Sequence, residues 1–365
     1  MSTNLEYAEL VEICHLTHSY LQSRVGHIAD VHLAARNWLI GMYIVEYEQH
    51  GADRSVYGSR LLERLAESLG KGFSVRNLRQ FRAFYVQYKE IRQTVSAELF
   101  KNNIGSTDVS IMIRQTVSAE LLGQFKVGWS HYVELLSIDD TDERRFYEIE
   151  AVACQWSVRE LQRQIASSLY HRLAISRNKE DIQRLANEGL HIEKAADLIK
   201  NPLVLEFLGL SEKPHYSEND LESAIIDKLE SFLLELGKGF LFEARQKRFT
   251  FDNDHFFVDL VFYNRLLRCY VLFDLKRDKL THQDLGQMQM YVNYFDRYVK
   301  QEDELPTIGI VLCHRKNDAL VELTLPSDAN IFASRYQLYL PSKEELKKQL
   351  ESITASLGEN GSENI

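Results

Sequence analysis

The sequence predicts a chain of two unlike parts: an all-α N-terminal domain, then an α/β domain whose core elements run αβββαβ. Three observations carry this expectation. All five prolines (Pro202, Pro214, Pro306, Pro326 and Pro341) lie beyond residue 200, so nothing in the first 200 residues removes a backbone donor or clashes with a preceding turn. Apolar residues in that stretch recur at helical spacing, as in Leu61, Leu62, Leu65 and Leu69. From about residue 217 the period changes, giving a helix, short β-rich runs, another helix and a further β-run.

In the first part, helices are expected around 5–24, 28–49 and 57–69. The third runs into Gly70-Lys71-Gly72-Phe73, after which Ser74 opens a new helix. Glycine suits the left-handed residue that ends a helix, and serine at the next start caps free amides. Residues 60–89 therefore have the layout of a helix-turn-helix. The charges on its second helix are one-sided, because residues 71–92 hold Lys71, Arg76, Arg79, Arg82, Lys89 and Arg92 against the single acid Glu90. Arg76, Arg79 and Arg82 form a stripe beside the apolar Leu78, Phe81 and Tyr85. Such a stripe suits phosphate contacts, and it equally suits a solvated face on a helical bundle.

Further along, IRQTVSAEL occurs at 91–99 and again at 113–121, two identical copies that read as a local duplication without a function of its own. LGKGF also occurs twice, at 69–73 and 236–240, as a glycine stop after a helical run. Neither copy has the spacing of a phosphate-cradling loop. Residues 144–174 are expected to be helical, with Ser157 and Glu160 as a capping pair, and the polar tail after 350 is expected to fray.

Composition narrows the function classes. The formal net charge of −10 does not favour nucleic-acid binding by itself, although a local basic face is what a polyanion meets. Cys14, Cys154, Cys269 and Cys313 are far apart with no CxxC pair, which argues against a zinc site or disulfide framework and for a reducing compartment. No signal peptide and no apolar run near ~18 residues is evident, so a soluble cytoplasmic protein without membrane partners is expected.

The chemistry concentrates in the second part. A helix is expected at about 219–236, strands near 241–250, 256–263 and 268–277, a helix at 283–299 and a strand at 307–313. Asp259 sits inside one apolar strand, and Asp274 and Lys276 end another as Asp-x-Lys. A carboxylate in an apolar strand requires a partner or a metal. Side chains alternate along a strand, so Asp274 and Lys276 share a face. An antiparallel hairpin with an even-length connection places residues whose numbers sum to 533 opposite each other, which brings Asp259, Asp274 and Lys276 to one patch. Two adjacent carboxylates repel unless a cation holds them, and oxygen ligands alone suit Mg²⁺ or Mn²⁺. A salt bridge across the hairpin beside a second buried acid fits the same pattern.

This arrangement resembles the PD-(D/E)xK nuclease superfamily, and the longer segments resemble its YhcG family of bacterial nucleases. They include NWLIGMYIVEYEQ (37–49), GKGFSVRNLRQFRAFY (70–85), QWSVRELQRQI (155–165), NPLVLEFLGL (201–210), VDLVFYNRLLRCYVLFDLK (258–276) and GQMQMYVNYFD (286–296). The resemblance covers nearly the whole chain. It implies a restriction-endonuclease-like fold for the second part, with domains at 1–175 (helical, DNA-binding), 176–216 (helical linker), 217–345 (nuclease) and a polar tail at 346–365. It also implies Asp259 and Asp274 as ligands of Mg²⁺ or Mn²⁺ and Lys276 as the catalytic lysine. Glu222 is the first choice for the helix-borne glutamate that completes the metal site, with Glu230 second, and Gln287 is a polar residue facing the site. Arg245, Gln246, Lys247 and Arg248 on the first strand are placed to hold DNA, as are Arg76, Arg79 and Arg82 of the helical domain. The implied activity is metal-dependent endonucleolytic cleavage of DNA leaving a 5′-phosphate, with RNA open as a substrate. A homodimer cutting both strands is common in the superfamily, though no heptad seam accompanies it here. The alternative is a nuclease fold that has lost activity and serves DNA binding or complex assembly. Two departures bear on that alternative: no Pro-Asp pair marks Asp259, and the second acid is Asp where Glu is common. The aromatic helix 290–298 reads as helix–sheet core, or as a base-stacking platform.

Overall fold

The computed structural model describes residues 7–22, 29–50, 60–94, 119–175, 177, 179–210, 216–326, 329–348 and 350–351. Most of both nonapeptide copies and the tail after 351 lie outside the described residues. The chain divides into two compact units, Met1–Gln162 and Arg163–Ile365.

The first unit is helical: α1 (Tyr7–Gln22), α2 (Ala29–His50), α3 (Leu61–Leu69), α4 (Val75–Gln87), α5 (Ala119–Gln124), α6 (Trp129–Leu135), α7 (Thr141–Ala153) and α8 (Val158–Ala166), the last containing the division. Its core is aromatic. Trp38 of α2 donates its indole N–H to the Tyr88 carbonyl at 3.1 Å and meets Tyr85 edge-on, and Phe84 packs on Tyr132 at 4.6 Å between centroids. The α3–α4 turn forms as its residues dictate. Gly70 takes φ 71°, a conformation glycine adopts without strain, and Ser74 Oγ accepts the Asn77 amide at 3.2 Å. Leu78, Phe81 and Tyr85 are buried, and Arg76, Arg79 and Arg82 are exposed. The Ser157 cap also forms, accepting the Glu160 amide at 3.2 Å.

The second unit continues with α9 (Leu169–Ala174), α10 (Lys179–Glu188), β1 (Leu203–Val204), α11 (Glu218–Asp227), α12 (Leu229–Leu236), β2 (Phe240–Phe251), β3 (Asp254–Asn264), β4 (Cys269–Lys279), α13 (His282–Tyr298), β5 (Ile308–Arg315), α14 (Asp318–Thr324) and β6 (Ile331–Gln337). Among the described residues, six strands form one sheet in the order β1-β6-β5-β4-β3-β2. β2, β3 and β4 are an antiparallel meander, and β4, β5, β6 and β1 run parallel. The expected αβββαβ order is present, extended by α14, β6 and the short β1. The helix expected at 219–236 is two helices, because the chain breaks at Lys228, whose φ of −117° and ψ of 33° interrupt the turn. The hairpin register is as expected: Leu260 faces Phe273 and Tyr263 faces Tyr270, pairs that sum to 533.

Two cores sandwich the sheet. Leu221 and Ile225 of α11 and Phe232 of α12 pack with Leu260, Phe262 and Phe273 on one face. Leu285, Met288, Tyr291 and Val292 of α13 pack with Val261, Leu272 and Val311 on the other. Gly309 sets the α13 approach, since a Cβ there would lie 2.6 Å from Met288 Cγ.

A buried charge network ties the segment before the sheet to α12. Glu235 accepts from Arg172 Nη1 at 2.6 Å, Arg163 Nη2 at 3.2 Å and the Val204 amide at 3.0 Å, and Lys200 Nζ donates to its backbone carbonyl. Burial alone would raise this carboxyl, but the Arg172, Lys200 and Arg163 cations overcome it and hold it at about 2. Because the folded pKa lies below the ordinary 4.5, the network's stabilisation is complete above about pH 4.5 and is lost as pH falls toward 2. Arg172→Ala is expected to destabilise the second unit by ~3–5 kcal/mol by stranding a buried carboxylate, read as a lowered denaturation midpoint. Glu235→Gln should flatten the pH dependence of stability across that acid window.

Candidate active site

The site forms where two paired strands part. The β3–β4 ladder runs from Asn264–Cys269 to Leu260–Phe273 and stops there, after which β3 continues with β2, and β4 continues with β5. Asp259 is the first β3 residue beyond the split. Its Oδ2 accepts the amide of Leu275 at 2.8 Å, so the carboxylate replaces the strand carbonyl that the ladder no longer supplies. Side-chain alternation also slips at this point. Val261 belongs to the α13 core and Leu260 to the opposite one, yet Val258 returns to the α13 core. On the neighbouring strand Gln246 takes φ 48°, a conformation uncommon for a residue with a side chain.

Asp274 and Lys276 lie on the α13 side of β4, alternating with Phe273 and Leu275 of the other core. Asp274 is 2% exposed. Lys276 Nζ stands 3.0 Å from Asp274 Oδ2 and 3.9 Å from Glu218 Oε2. The Lys276 ammonium is the cation paired with this buried oxygen, and no backbone amide is seen to donate to Asp274 Oδ2 among the described residues. Burial, with help from Asp259, pushes the Asp274 carboxyl up to about 7 against the opposing pull of Lys276. Burial also raises Asp259, with the Leu275 amide and Lys276 opposing. For Lys276 burial acts downward, but Asp274 and Glu218 outweigh it and keep the ammonium above the ordinary lysine value.

Glu222 reaches this centre through Gln246, whose Nε2 donates to both Glu222 Oε2 and Asp259 Oδ1, the latter at 3.0 Å. The other Glu222 oxygen accepts from Arg245 Nε, and Arg245 also donates to Ser223 Oγ at 3.0 Å. Glu230 is exposed at the start of α12, beyond the break at Lys228. Gln287 donates to the Tyr291 hydroxyl, a group within the electrostatic reach of Asp274, Asp259 and Lys276. Lys247 makes a loose 3.5 Å pair with Glu243, and Arg248 contacts His255. In the first unit, Arg82 pairs with Glu48 at 2.9 Å.

The donor set fits a hard divalent cation in one respect and limits it in another. A buried carboxylate with a single ammonium partner, beside a second carboxylate, is a pair of oxygen ligands such an ion satisfies. Among the described residues no three His, Cys, Asp or Glu side chains group as ligands, so a cation here would rest on two carboxylates and keep other positions for water or phosphate.

The chain is 43% identical over 332 residues, 88% of its length, to "Putative nuclease YhcG" of Escherichia coli (strain K12), of which it covers 87%. The chain belongs to the YhcG family. Residues 196–351 match the YhcG PDDEXK nuclease domain, and residues 17–172 match the DUF1016 N-terminal domain. A crystal structure of a repair endonuclease from Pyrococcus abyssi aligns with 36% of this chain and 50% of that one, at 17% identity and a TM-score of 0.24. The YhcG nuclease domain here is a restriction-endonuclease-like sheet carrying Asp259, Asp274 and Lys276 in one fork.

Sequence reasoning missed Glu218, and it placed Gln246 among the strand residues that hold DNA without its link to the carboxylates. Glu218 stands one turn before Glu222, and the i, i+4 spacing of the two glutamates was a readable sign that they share a helix face. Gln246 gave no sign beyond its strand, because its bridging role follows from a positive φ. Lys276→Met should move the Asp274 carboxyl above about 7, since the lysine is what lowers it. Carbon-13 titration of labelled aspartate would show the change, and an unmoved Asp274 would contradict the pairing.

Proposed function

We propose that this YhcG-family nuclease is a Mg²⁺-dependent endonuclease that hydrolyses phosphodiester bonds in DNA, with its helical unit positioning the nucleic acid. The observation that carries the reading is the buried Asp274 carboxylate, with Lys276 alone beside it at 3.0 Å and the Asp259 carboxylate close enough to raise it, at the strand fork. Asp259 and Asp274 would hold the ion. When bound, it supplies Lewis-acid polarisation of the scissile phosphate and activation of water.

The chain's own groups do the rest. Lys276, 3.0 Å from Asp274 Oδ2, would serve as a hydrogen-bond donor and positive charge for the phosphate oxygens as negative charge develops. The Leu275 amide and the Gln246 amide fix both oxygens of Asp259, and Glu222 anchors Gln246 from α11. Gln287, held against Tyr291, orients polar hydrogens at the α13 side of the fork. Lys247, in an exposed pair that contributes little to stability, is available to a phosphate, whereas Arg245 must exchange Glu222 for one. Arg76 and Arg79 are exposed on α4, and Arg82 shares its charge with Glu48. A cytoplasmic location suits this role, and among the described residues no helix is long and apolar enough to cross a membrane.

Supercoiled plasmid and branched DNA incubated with Mg²⁺ test the activity. Wild type should nick, and Asp259→Ala, Asp274→Ala and Lys276→Ala should each lose at least ~100-fold in rate, the scale of one charge-stabilising group. Equal nicking by all four proteins would sink the assignment. Calorimetry with Mn²⁺ should show a loss of heat in Asp274→Ala. DNA binding intact in wild type without any Mn²⁺ heat would favour a binding protein that has lost catalysis.

The helical unit has its own test. Replacing Arg76 and Arg79 by alanine should weaken binding to all DNA sequences alike. It should also reduce the slope of log affinity against log salt by ~0.9 for each phosphate contact removed. An unchanged slope would reassign the stripe to solvent.

A further inference from the structure

The second unit has a cleft of about 380 Å³ between β2 and α13, beyond the carboxylates. Its walls are flat rings. Phe256 stacks on Phe249 (centroids 5.4 Å, 26°), Phe249 on Tyr294 (4.0 Å, 18°), and Tyr294 leans on Tyr298 (5.3 Å, 48°). This column begins at the hairpin core and ends in solvent, where Tyr298 is 64% exposed and Phe251 of the cleft wall is 59% exposed. Folding does not account for the exposed end, since two large aromatic side chains gain little from standing in water. The inner rings are core, as the helical spacing implied; at the outer end Tyr298 touches Tyr294 and leaves most of its own surface in solvent.

Polar groups in the cleft say what completes the column. Gln289 Nε2 donates to Asn293 Oδ1 at 3.1 Å, which leaves the Gln289 carbonyl oxygen and the Asn293 amide nitrogen as an acceptor and donor beside the rings. Arg297 adds a guanidinium with no ion pair among the described residues. Among the described residues no carboxylate lines the cleft, in a chain whose net charge is −10. An acceptor and a donor beside aromatic faces match the edge of a nucleobase, and the lone cation matches the phosphate attached to it. A purely apolar partner would leave the amides and Arg297 unpaired.

Position links the cleft to the chemistry. Gly286 lines its near end, next in the chain to Gln287, and Tyr298 lies about 18 Å further along the same helix at ~1.5 Å per residue. We propose that this cleft is a stacking subsite for an unpaired nucleobase of the strand being cut, so that the enzyme selects DNA with extrahelical or single-stranded bases near the scissile bond over fully paired duplex. The inference rests on the nuclease reading for its biological use but is tested by binding alone.

The probe is a DNA duplex carrying one unpaired 2-aminopurine, a base whose fluorescence falls when it stacks, titrated in EDTA so that no cleavage intervenes. A fully paired duplex is the comparison. The variants are Tyr298→Ala, which removes the exposed end of the column, and Gly286→Leu, which fills the near end. A Cβ at Gly286 meets nothing within 4 Å, and leucine is the better helix former, so this variant retains the fold. Wild type should quench the unpaired base. Both variants should lose that quenching and bind the bulged duplex about five- to a hundred-fold more weakly, with paired-duplex affinity unchanged. Quenching retained in both variants, equal losses on the two duplexes, or no binding of bulged DNA by wild type would overturn the subsite. If wild type shows this quenching but no Mg²⁺-dependent cleavage, the subsite stands and the nuclease reading fails.

Discussion

The hydrogen bond from the Leu275 amide to the Asp259 carboxylate is the constraint on which the catalytic geometry depends. Where β3 leaves β4, the Leu275 amide loses its ladder partner, and an unpaired buried amide would cost about 1–3 kcal/mol. Asp259 supplies the missing acceptor from its side chain. The fork can therefore open without leaving that donor unsatisfied, and opening it exposes the edge of β4 that carries Asp274 and Lys276. The same bond uses only one carboxylate oxygen. Gln246 takes the other, which links the fork to Glu222 on α11 and explains why a helix from one face of the sheet and a strand kink on its edge strand belong to one assembly.

Two buried carboxylates in this unit show how environment separates structure from chemistry. Glu235 is surrounded by Arg172, Lys200 and Arg163, and the surplus of cations holds it ionised down to about 2. Asp274 is nearly as buried but has one cation and a neighbouring acid, and it stands near 7. Glu235 is satisfied by the protein itself and holds α12 against the segments preceding the sheet. Asp274 has one cation set against burial and a neighbouring acid, the setting in which the proposed ion would find an oxygen ligand. Divergent pKa values of this kind mark functional groups with more force than burial does.

The hairpin register was legible because two apolar strands joined by a short even connection leave few alternatives, and a one-residue slip would turn Phe262 and Phe273 out of their core. That register brought Asp259, Asp274 and Lys276 together on paper. The slip in alternation at Asp259 was not legible, because it depends on a glutamine adopting positive φ, a choice set by the tertiary environment and not by propensity. The break at Lys228 was hidden for a related reason: no glycine or proline marks it, and the apolar spacing continues across it into Phe232 and Leu236. This is why Glu230 looked like a two-turn neighbour of Glu222 and is exposed on another helix instead. The β6 strand was missed because short parallel strands buried on both faces show little alternation.

The acidic total of the chain is compatible with a polyanionic substrate because its charges are unevenly placed. At least five acids in the second unit are occupied locally: Glu235 and Glu206 by arginines, Glu222 by Arg245 and Gln246, and Asp259 and Asp274 in the fork. Some of the surfaces assigned to nucleic acid pair their cations with acids, as Arg82 with Glu48 and Lys247 with Glu243, and others leave cations open. The α4 stripe offers Arg76 and Arg79 in the open, and the aromatic cleft holds Arg297 with no acid among the described residues of its walls. A net charge of −10 distributed over the remaining surface then acts against indiscriminate binding, since a duplex approaching anywhere else meets repulsion. Under this arrangement affinity is confined to the few places where cations or stacking faces outweigh the background. The proposed selectivity for a distorted strand would follow from the same physics, because an unpaired base can contribute stacking at the cleft while a paired one contributes only its charge.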